Sequence, residues 1–358
     1  MPAARVRDGA LRALRACVLA LLCAGAGACA SLRYYAHVAH GELGLLAQRR
    51  PAAAIVDDPH ADAALRARLR QALDARAFAS ERLLLPRNRS YTSYVELGRP
   101  YVTWSVFAAP EFSVEPVTHC FPFAGCVAYL GFFDRARAER AAARLAAQGD
   151  DTAIEGVAAY STLGWFADPI VSSMLRWSDD ELDGVIFHEL AHQKLYVKDD
   201  TAFNESYATF VQQEGLRQWR AERGLPPPDA QAAARDDAFT ALVLDLRDRL
   251  RALYARELPA AAMRAAKRAE IEAFRERYAK LRDGAWHGDR RYDRWVDAPI
   301  NNARLVPFGL YDRWTGAFAC LFRQADGQWA AFHAAARKLA ALPRAERDRR
   351  LAELACID

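Results

Sequence analysis

Five residues constrain this chain more than any others: His188-Glu189-Leu190-Ala191-His192. Two histidines at this spacing serve together only on an α-helix, where positions i and i+4 lie one above the other and can grip one ion. Glu189 then stands beside the ion, placed to take a proton from water that the ion activates. The surrounding residues predict that helix. Ser178 is a candidate N-cap, Glu181 completes a capping box, and Asp179 and Asp180 suit the positive end of the helix dipole. Leu182, Ile186, Phe187, Leu190 and Leu195 spread round most of the circumference, so the helix is expected to be buried on nearly every side. His, Glu and His inside such a helix would cost several kcal/mol if left without partners, so one zinc ion is expected there.

Such an ion needs a further protein ligand. Beyond a short connector, Phe203-Asn204-Glu205-Ser206-Tyr207-Ala208 opens another helix, with Phe203, Tyr207 and Phe210 on one stripe. The run Asn204-Glu205-x-x-Ala208 resembles the ligand helix of the Glu-type zinc peptidases. That resemblance implies Glu205 as third ligand, a small Ala208 for close helix packing, and a fourth position left to water. Glu214 is the next candidate, with Asp199 and Asp200 behind it. The connector from Gln193 to Asn204 requires the two helices to fold back tightly. No histidine follows His192 before His287, so a nearby third histidine ligand is excluded.

The N-terminus reads as an export signal. Arg5, Arg7, Arg12 and Arg15 precede an apolar stretch from Ala16 to about Ala24, too short for a spanning helix, and small residues lead to Cys29. The residues before Cys29 resemble the lipobox of bacterial lipoproteins, with Ala26 where Leu is usual, which implies cleavage after residue 28 and acylation of Cys29. A plain cleaved signal or an uncleaved anchor is the alternative. Ala30 in the second mature position is not the Asp of inner-membrane retention. The expectation is therefore an exported outer-membrane lipoprotein facing the periplasm, with a soluble periplasmic or inner-membrane form as alternative. The full chain carries 49 Lys+Arg against 45 Asp+Glu, a net charge of +4. Residues 1–28 hold four of those Arg and one Asp, so the mature chain is nearly neutral and a nucleic-acid footprint is disfavoured.

The mature chain reads as predominantly helical α+β: a zincin-like catalytic region over 29–225 with a small sheet, then a mainly helical region over 226–358 that packs on it. Helices are predicted over 31–47, 61–79 and 134–147, with Asp57-Asp58-Pro59 as a break that caps the second. Aromatic and β-branched alternation over 90–130 predicts strands, and 152–163 another. Within the latter, Ala158 to Thr162 is the expected edge strand for aligning substrate. Pro226-Pro227-Pro228 is the clearest break. Beyond it, long helices to about Arg282 carry the stripe Phe239, Leu242, Leu246, Leu250 and Leu253. Cys120 and Cys126 enclose a short loop suited to a disulfide, and Cys320 and Cys356 form the remaining pair, although four cysteines admit three pairings.

Several stretches together resemble a bacterial aminopeptidase family of predicted zinc-dependent lipoproteins. They are 29–35, the Cys120–Cys126 loop, 188–192, 204–215 and Asn301-Asn302-Ala303-Arg304-Leu305. The resemblance implies a zinc metallopeptidase acting on peptides, with Glu189 as general base. Hydrolysis follows from it more directly than an exopeptidase specificity. Tyr160, Tyr207 and Tyr311 are candidates for the donor that stabilises the oxyanion, and the resemblance brings the 301–311 stretch back to the site. His119 reads as a loop residue. A non-catalytic zinc-containing envelope protein and a zinc amidase acting on cell-wall material are the competing readings.

Overall fold

The computed structural model describes residues 33–121, 125–159, 161–309 and 314–354. The chain divides after Ala47. Residues 33–47 form helix α1, matching the predicted helix. Cys29 lies outside the described residues, and among the described ones no helix is long and apolar enough to cross a membrane.

The second unit starts with β1 (Arg50–Pro51), α2 (Ala52–Asp57) and α3 (Ala63–Glu81). The acidic break at 57–59 ends α2, but α3 is capped by Asp62, whose carboxylate accepts from Leu65 N at 2.8 Å. Five strands follow: β2 (Ser93–Val95), β3 (Thr103–Pro110), β4 (His119–Phe121), β5 (Gly125–Val127) and β6 (Tyr129–Phe132). Then come α4 (Arg135–Ala146), β7 (Asp150–Val157) and β8 (Ile170–Val171). The strands make two small sheets, β1-β2-β8 and the antiparallel β6-β3-β7, plus the β4-β5 hairpin that the Cys120–Cys126 disulfide bridges. The middle strand β3 is buried continuously from Trp104 to Ala109, as a strand covered on both faces must be.

The remainder is helical: α5 (Asp179–Lys194), α6 (Thr201–Glu222), α7 (Ala230–Tyr254), α8 (Ala260–Asp283), α9 (Asp293–Asp297) and α10 (Asn302–Leu305). The described chain closes with α11 (Thr315–Gln324), α12 (Trp329–Ala340) and α13 (Arg344–Glu353). The fold is α+β and mainly helical. The predicted stripe of α7 is buried throughout and packs against Met263, Ile271, Phe274 and Tyr278 of α8, with Pro259 marking the turn between them. Ala303 and Val306, in and just after α10, pack on Phe107 and Ala109 of β3.

One expected element differs. The strand predicted over 152–163 ends at Val157, and the described residues 158, 159, 161 and 162 are not strand. The reason is local chemistry. Ser161 and Thr162 turn their hydroxyls onto the buried Asp168 carboxylate, at 3.3 and 2.7 Å, and Leu163 adopts a left-handed φ of 55°. Short hydroxyl side chains offer the backbone this alternative to a ladder.

Candidate metal centre

Helix α5 forms as its residues predict. Ser178 and Glu181 make both bonds of the capping box, Glu181 N to Ser178 Oγ at 3.3 Å and Ser178 N to Glu181 Oε2 at 2.8 Å. Leu182, Ile186, Phe187, Leu190 and Ala191 are all fully buried. Phe187 packs on Phe78 of α3, and Gly215 lets α6 come close on the same side. A Cβ on Gly215 would lie 2.6 Å from Leu83 Cδ1 and 3.1 Å from Phe187.

The turn between α5 and α6 is fixed by two side chains. Asn204, fully buried, brackets Val197, accepting from its N–H at 2.7 Å and donating to its carbonyl at 2.8 Å. Asp200 caps α6 by accepting from Phe203 N at 3.2 Å, and its other oxygen accepts from Arg347 of α13 at 2.9 Å. Asp200 and Arg347 are both buried, so each neutralises a charge that would otherwise be stranded.

This folding back brings His188, His192 and Glu205 to one point. The two Nε2 atoms are 3.1 Å apart, and Glu205 Oε2 lies 3.3 Å from His188 Nε2 and 3.6 Å from His192 Nε2. Ligand atoms about 2.0–2.1 Å from a tetrahedral zinc would be about 3.3 Å from each other, so spacing and donor chemistry both fit such an ion. Gln212, two turns along α6 from Glu205, accepts from His188 Nδ1 at 3.0 Å. That bond leaves the Nε2 lone pair for the shared point. Gly184 makes room for it: a Cβ there would sit 3.1 Å from Gln212 Nε2. Burial alone would raise the Glu205 carboxyl, but the facing histidines hold it at about 2.

Glu189 lies on the neighbouring face of α5 together with Gln193, one turn on. Burial pushes its carboxyl up to about 7; the charges of Glu205 and Asp168 act in the same direction and His188 opposes them. A carboxyl whose pKa is raised in this way can take up and release a proton near neutral pH. Residues 33–351 match the model of a family described as Putative aminopeptidase. The chain belongs to that family. No curated protein and no solved structure matches it.

Membership in the aminopeptidase family makes the fate of each expected site residue informative. Glu214 is engaged by Arg217 at 2.6 Å and Gln218 at 2.7 Å, and Asp200 by the α6 cap, so neither joins the ligand group. Asp199 is exposed and outside it as well. Tyr207 is fully buried with its hydroxyl 2.8 Å from His333 Nδ1, which removes it as an oxyanion donor. His119 lies on β4, outside the ligand group. Cys320 is buried on α11, while Tyr160, Tyr311 and Cys356 lie outside the described residues. Sequence reasoning missed Gln212, although its i+7 spacing from Glu205 places it on the same helix face. It also missed Tyr196, whose ring lies edge-on to His192 with centroids 6.5 Å apart.

Proposed function

We propose that this chain is a zinc-dependent peptidase, with His188, His192 and Glu205 as ligands and Glu189 as general base. The observation that carries this reading is the convergence of three Lewis-basic atoms, spaced as tetrahedral ligands, on a helix pair whose first member also carries Glu189. A zinc ion held there would supply a Lewis acid that polarises the peptide carbonyl and acidifies water. Glu189 accepts the proton of the attacking water and delivers it to the departing amine, so its charge alternates during one turnover. Gln212 keeps His188 in the tautomer that presents Nε2. Family membership supports peptide substrates, and we extend it to removal of N-terminal residues. We further propose export and attachment to the membrane through an acylated Cys29, supported by the basic and apolar pattern over residues 5–29.

The test combines metal analysis with cleavage mapping. Protein stripped by chelator and reloaded should take up one zinc per chain and cleave a defined peptide mixture, with mass spectrometry locating the cuts. Glu189→Gln should keep the zinc and lose about a hundred- to ten-thousandfold in kcat, as removal of an essential proton acceptor does. Full activity in Glu189→Gln, or no stoichiometric zinc, refutes the reading. Internal cuts instead of N-terminal losses would refute only the aminopeptidase assignment.

A further inference from the structure

Singly scattered apolar side chains on a surface are ordinary, whereas adjacent large ones on one turn mark a candidate contact surface. Trp165 is 85% exposed and Phe166 46% exposed, side by side on the loop that leads from Ser161 to Asp168. The exposure does not come from a loose loop. Thr162 N, Thr162 Oγ1 and Ser161 Oγ all donate to the Asp168 carboxylate. Trp165 N donates to Thr162 O at 3.1 Å and Phe166 N to Thr162 Oγ1 at 3.0 Å. Arg49 Nη1 holds Ala167 O at 3.0 Å, and Tyr91 N holds Asp168 O at 2.6 Å. Two adjacent aromatics are thus fixed outward on a rigid turn.

The turn is tied to helix α5 at Gln193. Gln193 Nε2 donates to Asp168 Oδ2 at 3.3 Å, and a Cβ on Gly164 would come within 3.3 Å of Gln193 Oε1. Gln193 follows the ligand His192 and shares the Glu189 face of α5, so the loop borders the side from which Glu189 works. Tyr196, 51% exposed, flanks His192 itself. The loop contains no Lys or Arg, the residues that would accompany aromatics at an anionic membrane surface.

We propose that Trp165 and Phe166 form an apolar shelf that receives a large hydrophobic side chain of the peptide substrate, beside the bond to be cut. The substrate class is therefore peptides carrying Leu, Phe or similar residues at that position. This rests on the peptidase reading above, which the experiment can separate from it.

A panel of tetrapeptides with Leu, Phe, Asp or Lys in the first two positions is assayed with zinc-loaded wild type, Trp165→Ala and Phe166→Ala. The expected wild-type preference for Leu and Phe over Asp and Lys is about 10- to 100-fold in kcat/KM, the worth of one well-packed apolar side chain. Trp165→Ala should remove most of it while leaving zinc content and the slow Asp and Lys rates within about twofold. If Trp165→Ala and Phe166→Ala keep the full preference, the shelf is refuted while the peptidase reading stands. If wild type cleaves nothing, the peptidase reading fails. The shelf is then judged by calorimetry of Leu-Leu binding to Glu189→Gln: weakening by Trp165→Ala supports it and an unchanged affinity rejects it. Loss of binding to phosphatidylethanolamine–phosphatidylglycerol vesicles on Trp165→Ala would assign the aromatics to lipid instead and overturn the proposal.

Discussion

His333 offers a quantitative test of how the helical layers are joined. It is 2% exposed on α12 and bonded at both ring nitrogens, with Nε2 donating to Leu83 O at 2.8 Å and Nδ1 accepting from the Tyr207 hydroxyl at 2.8 Å. This arrangement holds only for the neutral ring, and burial pulls the pKa down to about 4 from the ordinary 6.5. Folded His333 therefore binds its proton more weakly than the unfolded chain does. Its contribution to stability is complete above about pH 6.5 and is lost progressively as pH falls to about 4. The gap between the two values corresponds to about 3 kcal/mol. His333→Gln keeps a donor toward Leu83 and an acceptor toward Tyr207 but does not titrate. Urea unfolding of both proteins from pH 8 to pH 4 gives the comparison, with equal m-values as the check that the same surface is exposed. The wild type should lose about 3 kcal/mol more than His333→Gln across that window, the other titrating groups cancelling in the difference. Parallel stability curves would refute the assignment of a buried neutral His333.

Asp183, buried on α5, carries the opposite sign: burial raises its pKa to about 6, despite hydrogen bonds from Gln71 and Trp219. Its ionisation costs stability as pH rises from about 4 to 6, so Asp183→Asn should be more stable than wild type at pH 7 by up to about 3 kcal/mol. That advantage should vanish near pH 4 in the same urea titrations. Arg347→Ala strands the buried Asp200 carboxylate and should cost about 3–5 kcal/mol, read as a lower thermal midpoint. Because Asp200 caps the helix that carries Glu205, a loss of zinc affinity should accompany it, measured by competition with a chromogenic chelator. Gly184→Ala pushes a Cβ against Gln212 and should weaken zinc binding about 10- to 100-fold with little change in helix content by circular dichroism. Unchanged affinity would show that the bond His188 donates to Gln212 does not tune the centre.

Much of this site is legible because it is encoded over a few residues. The capping box of Ser178 and Glu181 and the i, i+4 histidines each act within about one turn. Strand limits were less legible. The alternation that suggested a strand through Leu163 competes with the hydroxyls of Ser161 and Thr162, and the winner depends on Asp168 arriving in reach. The choice among Glu205, Glu214 and Asp200 could not be settled by spacing either. All three are acidic groups on or at the start of one helix, and their fates differ because Arg217 and Arg347 claim two of them.

The sequence by itself determined that a buried, capped helix would carry His188, Glu189 and His192, and that a second helix would return across it. It also determined the long apolar pair after Pro228, since periodicity and capping act through neighbours along the chain. Only the tertiary structure decided that Tyr207 belongs to His333, that Gln212 steadies His188, and that Trp165 and Phe166 stand in water on a loop tied to the helix of His188 through Gln193. Those outcomes depend on groups up to 126 residues apart meeting in one packed interior, where each buried polar atom takes whichever partner the packing brings.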